Sequence, residues 1–107
     1  MPSLKPVTLH VTLGSMVKRI RHRGLRRLYE DGSTRGLNAG HVPKLRLILA
    51  ALDAAEAPSD VDIAGWRLHP LKGARRGEWS VWVSGNWRVT FRFDKDNVID
   101  VNYEDYH

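Results

Sequence analysis

Cysteine is absent from all 107 residues. Disulfide scaffolds, thiolate catalysis and cysteine-ligated zinc are thereby excluded, and the chain is compatible with a reducing compartment. No apolar run approaches the roughly 20 residues of a membrane span. The N-terminus also lacks the compact apolar core and small-residue cleavage site of a secretory signal. A soluble, cytoplasmic protein without a membrane partner is expected. The histidines at 22, 41, 69 and 107 show no HExxH or comparable ligand spacing, so no metal centre is expected. Neither a glycine-rich phosphate loop nor a serine nucleophile elbow is present. Internal repeats, low-complexity tracts and long linkers are missing too, and the length suits one domain with a modest core.

Positive charge is what the chain has in excess. Seventeen Lys and Arg face 12 Asp and Glu, a formal net charge of +5. That balance favours an anionic partner such as RNA, DNA, a membrane surface or an acidic protein.

Residues 1–15, MPSLKPVTLHVTLGS, differ from the rest of the chain in having two prolines, one basic residue and a Gly-Ser end. They read as an upstream extension foreign to the domain, with Met16 its natural start, although VTLHVTL has the pattern of an edge strand. The domain is assigned to residues 16–107. A short strand is expected over 16–20, followed by the basic cluster Lys18, Arg19, Arg21, Arg23, Arg26 and Arg27. Leu25, Leu28 and Tyr29 have helical spacing, which predicts a short helix ending near Gly32. A second helix is predicted over 41–55, where Val42, Leu45, Ile48, Leu49 and Leu52 form an amphipathic stripe and Pro43 sits harmlessly in the first turn.

The remainder reads as β. A first strand over 66–71 is interrupted by Pro70. Trp79, Val81 and Val83 then alternate with polar or indole-bearing positions. Beyond Ser84-Gly85-Asn86, the residues Trp87, Val89, Phe91 and Phe93 alternate with Arg88, Thr90 and Arg92. Two period-two runs around a Gly-Asn turn predict a hairpin. In a last antiparallel strand over 98–103, Ile99, Val101 and Tyr103 alternate with Asp100 and Asn102. The class is α+β, in the order β-α-α-β-β-β, with the two N-terminal helices packed on one face of a curved antiparallel sheet.

Several side chains in this frame have chemistry to offer. His69 and Lys72 lie in LHPLKG, and Lys72 opens a basic loop with Arg75 and Arg76. Arg88 and Arg92 share a strand face; they either hold a phosphate in two-point geometry or pair across the sheet with Asp100, Glu104 or Asp105. The chain stops at YEDYH. Histidine serves as acid or base near neutral pH. Lys and Arg neutralise a phosphorane, and Tyr stacks on a base or orients a phosphate. These types suit RNA cleavage without a metal, by attack of a 2′-hydroxyl on the adjacent phosphate.

The segments RGLRRLYEDGSTRGLNAGHVPKLRLILAALDAA, WRLHPLKG, WSVWVSGNWRVTFRF and VNYEDYH together resemble the HigB-type toxins of the RelE/ParE superfamily over residues 16–107. The resemblance implies a type II toxin that cleaves mRNA in the ribosomal A site and uses no cofactor. It assigns His69 and Lys72 to the catalytic pair, Arg88 to the scissile phosphate and Tyr106 to substrate orientation, with Asp105 and His107 as active-site neighbours. Lys18, Arg23, Arg26, Arg75, Arg76 and Arg92 are then candidate contacts to RNA or the ribosome. Implied partners are a HigA-type helix-turn-helix antitoxin, the bacterial ribosome and mRNA, with operator DNA reached only through the antitoxin complex. The same superfamily also allows a gyrase-directed toxin, or a catalytically weak co-repressor acting with its antitoxin.

Overall fold

The computed structural model describes residues 17–105. The expectations for residues 1–15, Tyr106 and His107 lie outside the described residues. Helix α1 spans Arg23–Asp31 and begins on an uncommon cap. The Nδ1 atom of His22 accepts the Leu25 N–H at 3.1 Å, satisfying one of the donors that a helix start leaves unpaired. The helix stops at Gly32, whose φ of 77° suits glycine and lets its N–H reach the Leu28 carbonyl. Leu25 and Leu28 are buried, as their spacing predicts.

Helix α2, Val42–Ala54, follows a single 3₁₀ turn at Ala39–His41. The predicted stripe of Val42, Leu45, Ile48, Leu49 and Leu52 is buried in full. Tyr29 donates to Asp53 Oδ1 at 2.7 Å and ties α1 to α2.

Four antiparallel strands form the sheet in the order β1-β2-β3-β4: His69–Pro70, Trp79–Ser84, Trp87–Asp94 and Asn97–Asp105. Val81, Val89, Phe91, Val98 and Val101 meet the helices with no exposed surface. The first strand, expected over 66–71, is only two residues long. Arg67 adopts a φ of 53°, outside the extended region, and breaks it. The Trp66 carbonyl nevertheless accepts the Trp82 N–H at 2.7 Å, so the chain runs beside β2 without a continuous ladder.

The last strand departs from simple alternation. Val98, Val101 and Tyr103 are the buried residues, whereas Ile99 is half-buried. Thr90 pairs with Asn102 and Arg92 with Ile99, so two residues on β3 answer three on β4. Asp100, at φ 53°, lies within that step. One extra residue in a strand reverses its inside–outside phase, which brings Val98 inward.

The same three-residue step matches the N-terminal segment. Val17 bridges Val98 and Ile20 bridges Val101, both in parallel, and both Val17 and Ile20 are buried. The strand expected over 16–20 is thus two isolated bridges among the described residues. An ion pair from Arg19 Nε to Asp100 Oδ1 at 2.9 Å fastens this segment at the bulge.

Two consequences are measurable. Phe91 has no exposed surface and Phe93 is half-buried. Phe91→Ala is expected to lower stability by about 3–5 kcal/mol in denaturant unfolding, with a smaller loss for Phe93→Ala. Burial lowers the pKa of His22. The folded state therefore binds a proton less readily than the unfolded chain, and stability present above the ordinary histidine range is lost as pH falls through it. His22→Asn keeps a cap acceptor that does not titrate. Its denaturation midpoint should change less than that of the wild type between about pH 7 and about pH 5.

Candidate functional site

Cross-strand register places the site. Along one row lie His69, Ser80, Thr90 and Asn102; along the next lie Trp82, Arg88 and Glu104. Directly paired residues share a sheet face, and residues two apart on a strand share it as well. His69 and Arg88 therefore rise from the same face, opposite the one that packs on the helices. They are separated by two strand spacings, or about 10 Å, and by one row.

Part of this polar face is withdrawn from water. Ser80 and Thr90 have no exposed surface, and the Nε and Nη1 atoms of Arg88 are shielded from solvent. The cover is the loop between β1 and β2. Its base closes through Leu71 N–H to Glu78 O at 2.8 Å, and Gly73–Arg75 forms a 3₁₀ turn within it. Gly77 adopts a φ of 101°, and a Cβ there would stand 2.5 Å from Arg92 Nη1. The positive φ favours glycine here, and any Cβ would also push the end of the Arg92 side chain aside.

Arg75 is the central side chain of the cover. Its Nε and Nη2 donate to the two oxygens of Glu78 at 3.1 and 2.7 Å. Its Nη1 and Nη2 donate to the two oxygens of Glu104 at 3.0 and 2.6 Å. Thr90 Oγ1 donates to Glu104 Oε2 at 2.7 Å. Hydrogen bonding to Arg75 holds the Glu104 carboxyl below the usual glutamate range, against the opposing effect of burial. The same bonds, first to Glu78 and then to Glu104, strengthen the proton affinity of Arg75. Arg92 extends the network, approaching Glu78 at 3.8 Å and Asp100 at 3.9 Å.

His69 is half-buried, and its Nδ1 stands 3.0 Å from the Arg67 carbonyl. A carbonyl can only accept, so Nδ1 carries the proton of this bond. In the neutral ring the lone pair is then on Nε2. Lys72 is exposed at the start of the covering loop. Beside His69 in sequence, Arg67 lies over the Trp82 ring at 4.3 Å, with Lys44 Nζ 5.0 Å from the same ring.

The sequence-predicted residues divide accordingly. His69 and Arg88 share the polar face, and the loop that begins at Lys72 covers part of it. Asp105 is exposed at the end of β4, paired with Trp87 and out of phase with Glu104. Lys18, Arg23 and Arg76 are exposed, and Arg26 Nη1 reaches the Ile20 carbonyl at 3.4 Å. Arg75 and Arg92, named as RNA-contact candidates, direct their guanidinium groups at carboxylates of this chain. Sequence reasoning misses Glu78, places Thr90 on the face of Arg88 and Arg92 without giving it a partner, and finds Glu104 only as a cross-strand partner for Arg88 or Arg92. The signal that could have found them is a lone acid closing a basic loop and a second acid in phase with Arg88.

A cluster at the other side of the β3–β4 pair also escapes sequence reading. His41, 8% exposed, has Nδ1 at 2.6 Å from Tyr103 OH, and Trp87 stacks on Tyr103 with ring centroids 4.6 Å apart. Burial raises the Tyr103 pKa.

Known proteins resemble this chain closely. A family model described as the RelE-like toxin of type II toxin–antitoxin system HigB matches residues 18–107. Endoribonuclease HigB of Proteus vulgaris is 42% identical over 92 residues, covering 86% of this chain and 100% of that protein.

Glu104 carries a pH dependence that the polar face should express. Its lowered pKa means that the folded state favours the charged carboxylate, so its contribution is complete above the ordinary glutamate range and is lost as pH falls through the folded value. Glu104→Gln should be less stable than the wild type near neutrality, and the gap between their urea midpoints should narrow on acidification.

Proposed function

We propose, from the premise that this chain belongs to the RelE-like HigB toxins of type II toxin–antitoxin systems, that it is a ribosome-dependent endoribonuclease cleaving mRNA in the A site. The observation that carries the reading is the placement of His69 and Arg88 on one sheet face, with His69 held through Nδ1 so that Nε2 is the atom that exchanges a proton.

In this reading the 2′-oxygen attacks phosphorus and the bond to the 5′-oxygen breaks, leaving a 2′,3′-cyclic phosphate and a 5′-hydroxyl. One proton leaves the 2′-hydroxyl and one is delivered to the departing oxygen. His69 performs one of these transfers, with His107 as the group for the other. Arg88 and Lys72 stabilise the charge that builds on the phosphorane oxygens, and Tyr106 orients the substrate. Arg88 is suited to its task because a guanidinium on a rigid strand loses little freedom when it grips a phosphate. The exposed Lys18, Arg23 and Arg76 supply the electrostatic approach to ribosomal RNA. The antitoxin partner is of the HigA helix-turn-helix type, and operator DNA is bound through that complex.

The test compares wild type and Arg88→Ala on mRNA with and without programmed ribosomes. Cleavage only with ribosomes is expected, reduced about 10²–10³-fold in the variant while its circular dichroism spectrum is retained. Absence of cleavage in both conditions would overturn the reading, and inhibition of DNA supercoiling would then favour a gyrase-directed toxin.

A further inference from the structure

We infer that Arg75 is a positioning residue: clamped between Glu78 and Glu104, it holds the 72–77 loop onto the polar face and so fixes the backbone from which Lys72 projects. The inference rests on the nuclease reading for what Lys72 does, and on geometry alone for what Arg75 does.

The geometry sets Arg75 apart from the other basic residues. Its guanidinium makes four charge-assisted hydrogen bonds, two to a carboxylate in its own loop and two to a carboxylate on β4. Because β4 lies two strands beyond β2, a bond from this loop to Glu104 requires the loop to lie across β3. Glu104 is the cross-strand partner of Arg88, so the clamp closes beside the arginine proposed to hold the phosphate. Lys72 is only three residues away, and its carbonyl accepts the Arg75 N–H at 3.3 Å, which links the backbone positions of the two.

Neighbouring groups reinforce the clamp. Thr90 fixes one Glu104 oxygen, Glu78 is only 8% exposed, and Arg92 Nη1 lies 3.4 Å from the Arg76 carbonyl. The nitrogens of Arg75 are already engaged by two carboxylates, which leaves it little to offer an RNA phosphate. A lysine cannot replace it, because one ammonium cannot span two carboxylates in the planar, four-bond arrangement.

Two independent readouts test the inference. In limited trypsin digestion, Arg75→Gln and Glu104→Gln should be cut faster after Lys72 and Arg76 than wild type, with cutting elsewhere unchanged. In ribosome-programmed cleavage, Arg75→Gln should lower kcat by about 10²-fold with KM little altered, and Arg75→Lys should fail to restore it. A raised KM with unchanged kcat would make Arg75 a direct RNA contact and overturn the inference, as would full rescue by lysine. Unchanged tryptic protection of the loop would also overturn it. If Arg75→Gln does not fold, Glu104→Gln, which removes the charge from one jaw and leaves Arg75 in place, decides by the same digestion. If wild-type protein cleaves no RNA, the nuclease reading fails separately, and the digestion alone stands for or against the clamp.

Discussion

A carboxylate withdrawn from water must be matched by a cation and by hydrogen-bond donors, or the folded state loses several kcal/mol for each such charge. Glu78 and Glu104 impose that requirement on the polar half of this domain, and Arg75 meets it for both. The arrangement explains why β3 is buried on two sides. Its apolar side meets α1, α2 and their neighbours through Val89 and Phe91, while Thr90 on the other side is sealed beneath a charged loop. A small domain of this length thereby gains a covered sheet without a second layer of helices.

Covering a polar face also makes it rigid. Thr90, Glu104, Arg75 and Glu78 form a chain of bonds from β4 across to the loop, and Arg92, Asp100 and Arg19 continue it to the N-terminal segment. Side chains carried on such a base are already ordered, so little further ordering is needed when they bind. His69 stands at one margin of this base, with its tautomer set by a backbone carbonyl.

Periodicity makes α2 and the β2–β3 hairpin legible, since each repeats its pattern long enough to exclude other readings. Phase errors enter where the pattern is short or interrupted. Asp100 inserts a residue into β4 and exchanges Ile99 for Val98 in the core. Arg67 leaves the extended region and cuts the strand beside it to two residues. Composition marks Arg75 and Arg92 as cations but does not say what they face. Arg75 meets Glu78 three residues away, but its bond to Glu104 spans 29 residues and Arg92 reaches Glu78 across 14, pairings that only the folded register makes. The polar pairing of His41 with Tyr103 is equally non-local, and no spacing rule links positions 62 residues apart.

The placement of β4 governs when the domain comes into being. This last strand lies between β3 and the N-terminal segment, and the Arg19–Asp100 pair closes a separation of 81 residues. Such closures carry an entropic cost that grows with the intervening length, and contacts far apart in sequence slow folding. During synthesis, residues 17–20 must wait for residues 98–101, and Arg75 for Glu104. A growing chain therefore has neither its finished core nor its clamped loop until β4 has left the ribosome, so the polar face is assembled only after that strand has been made.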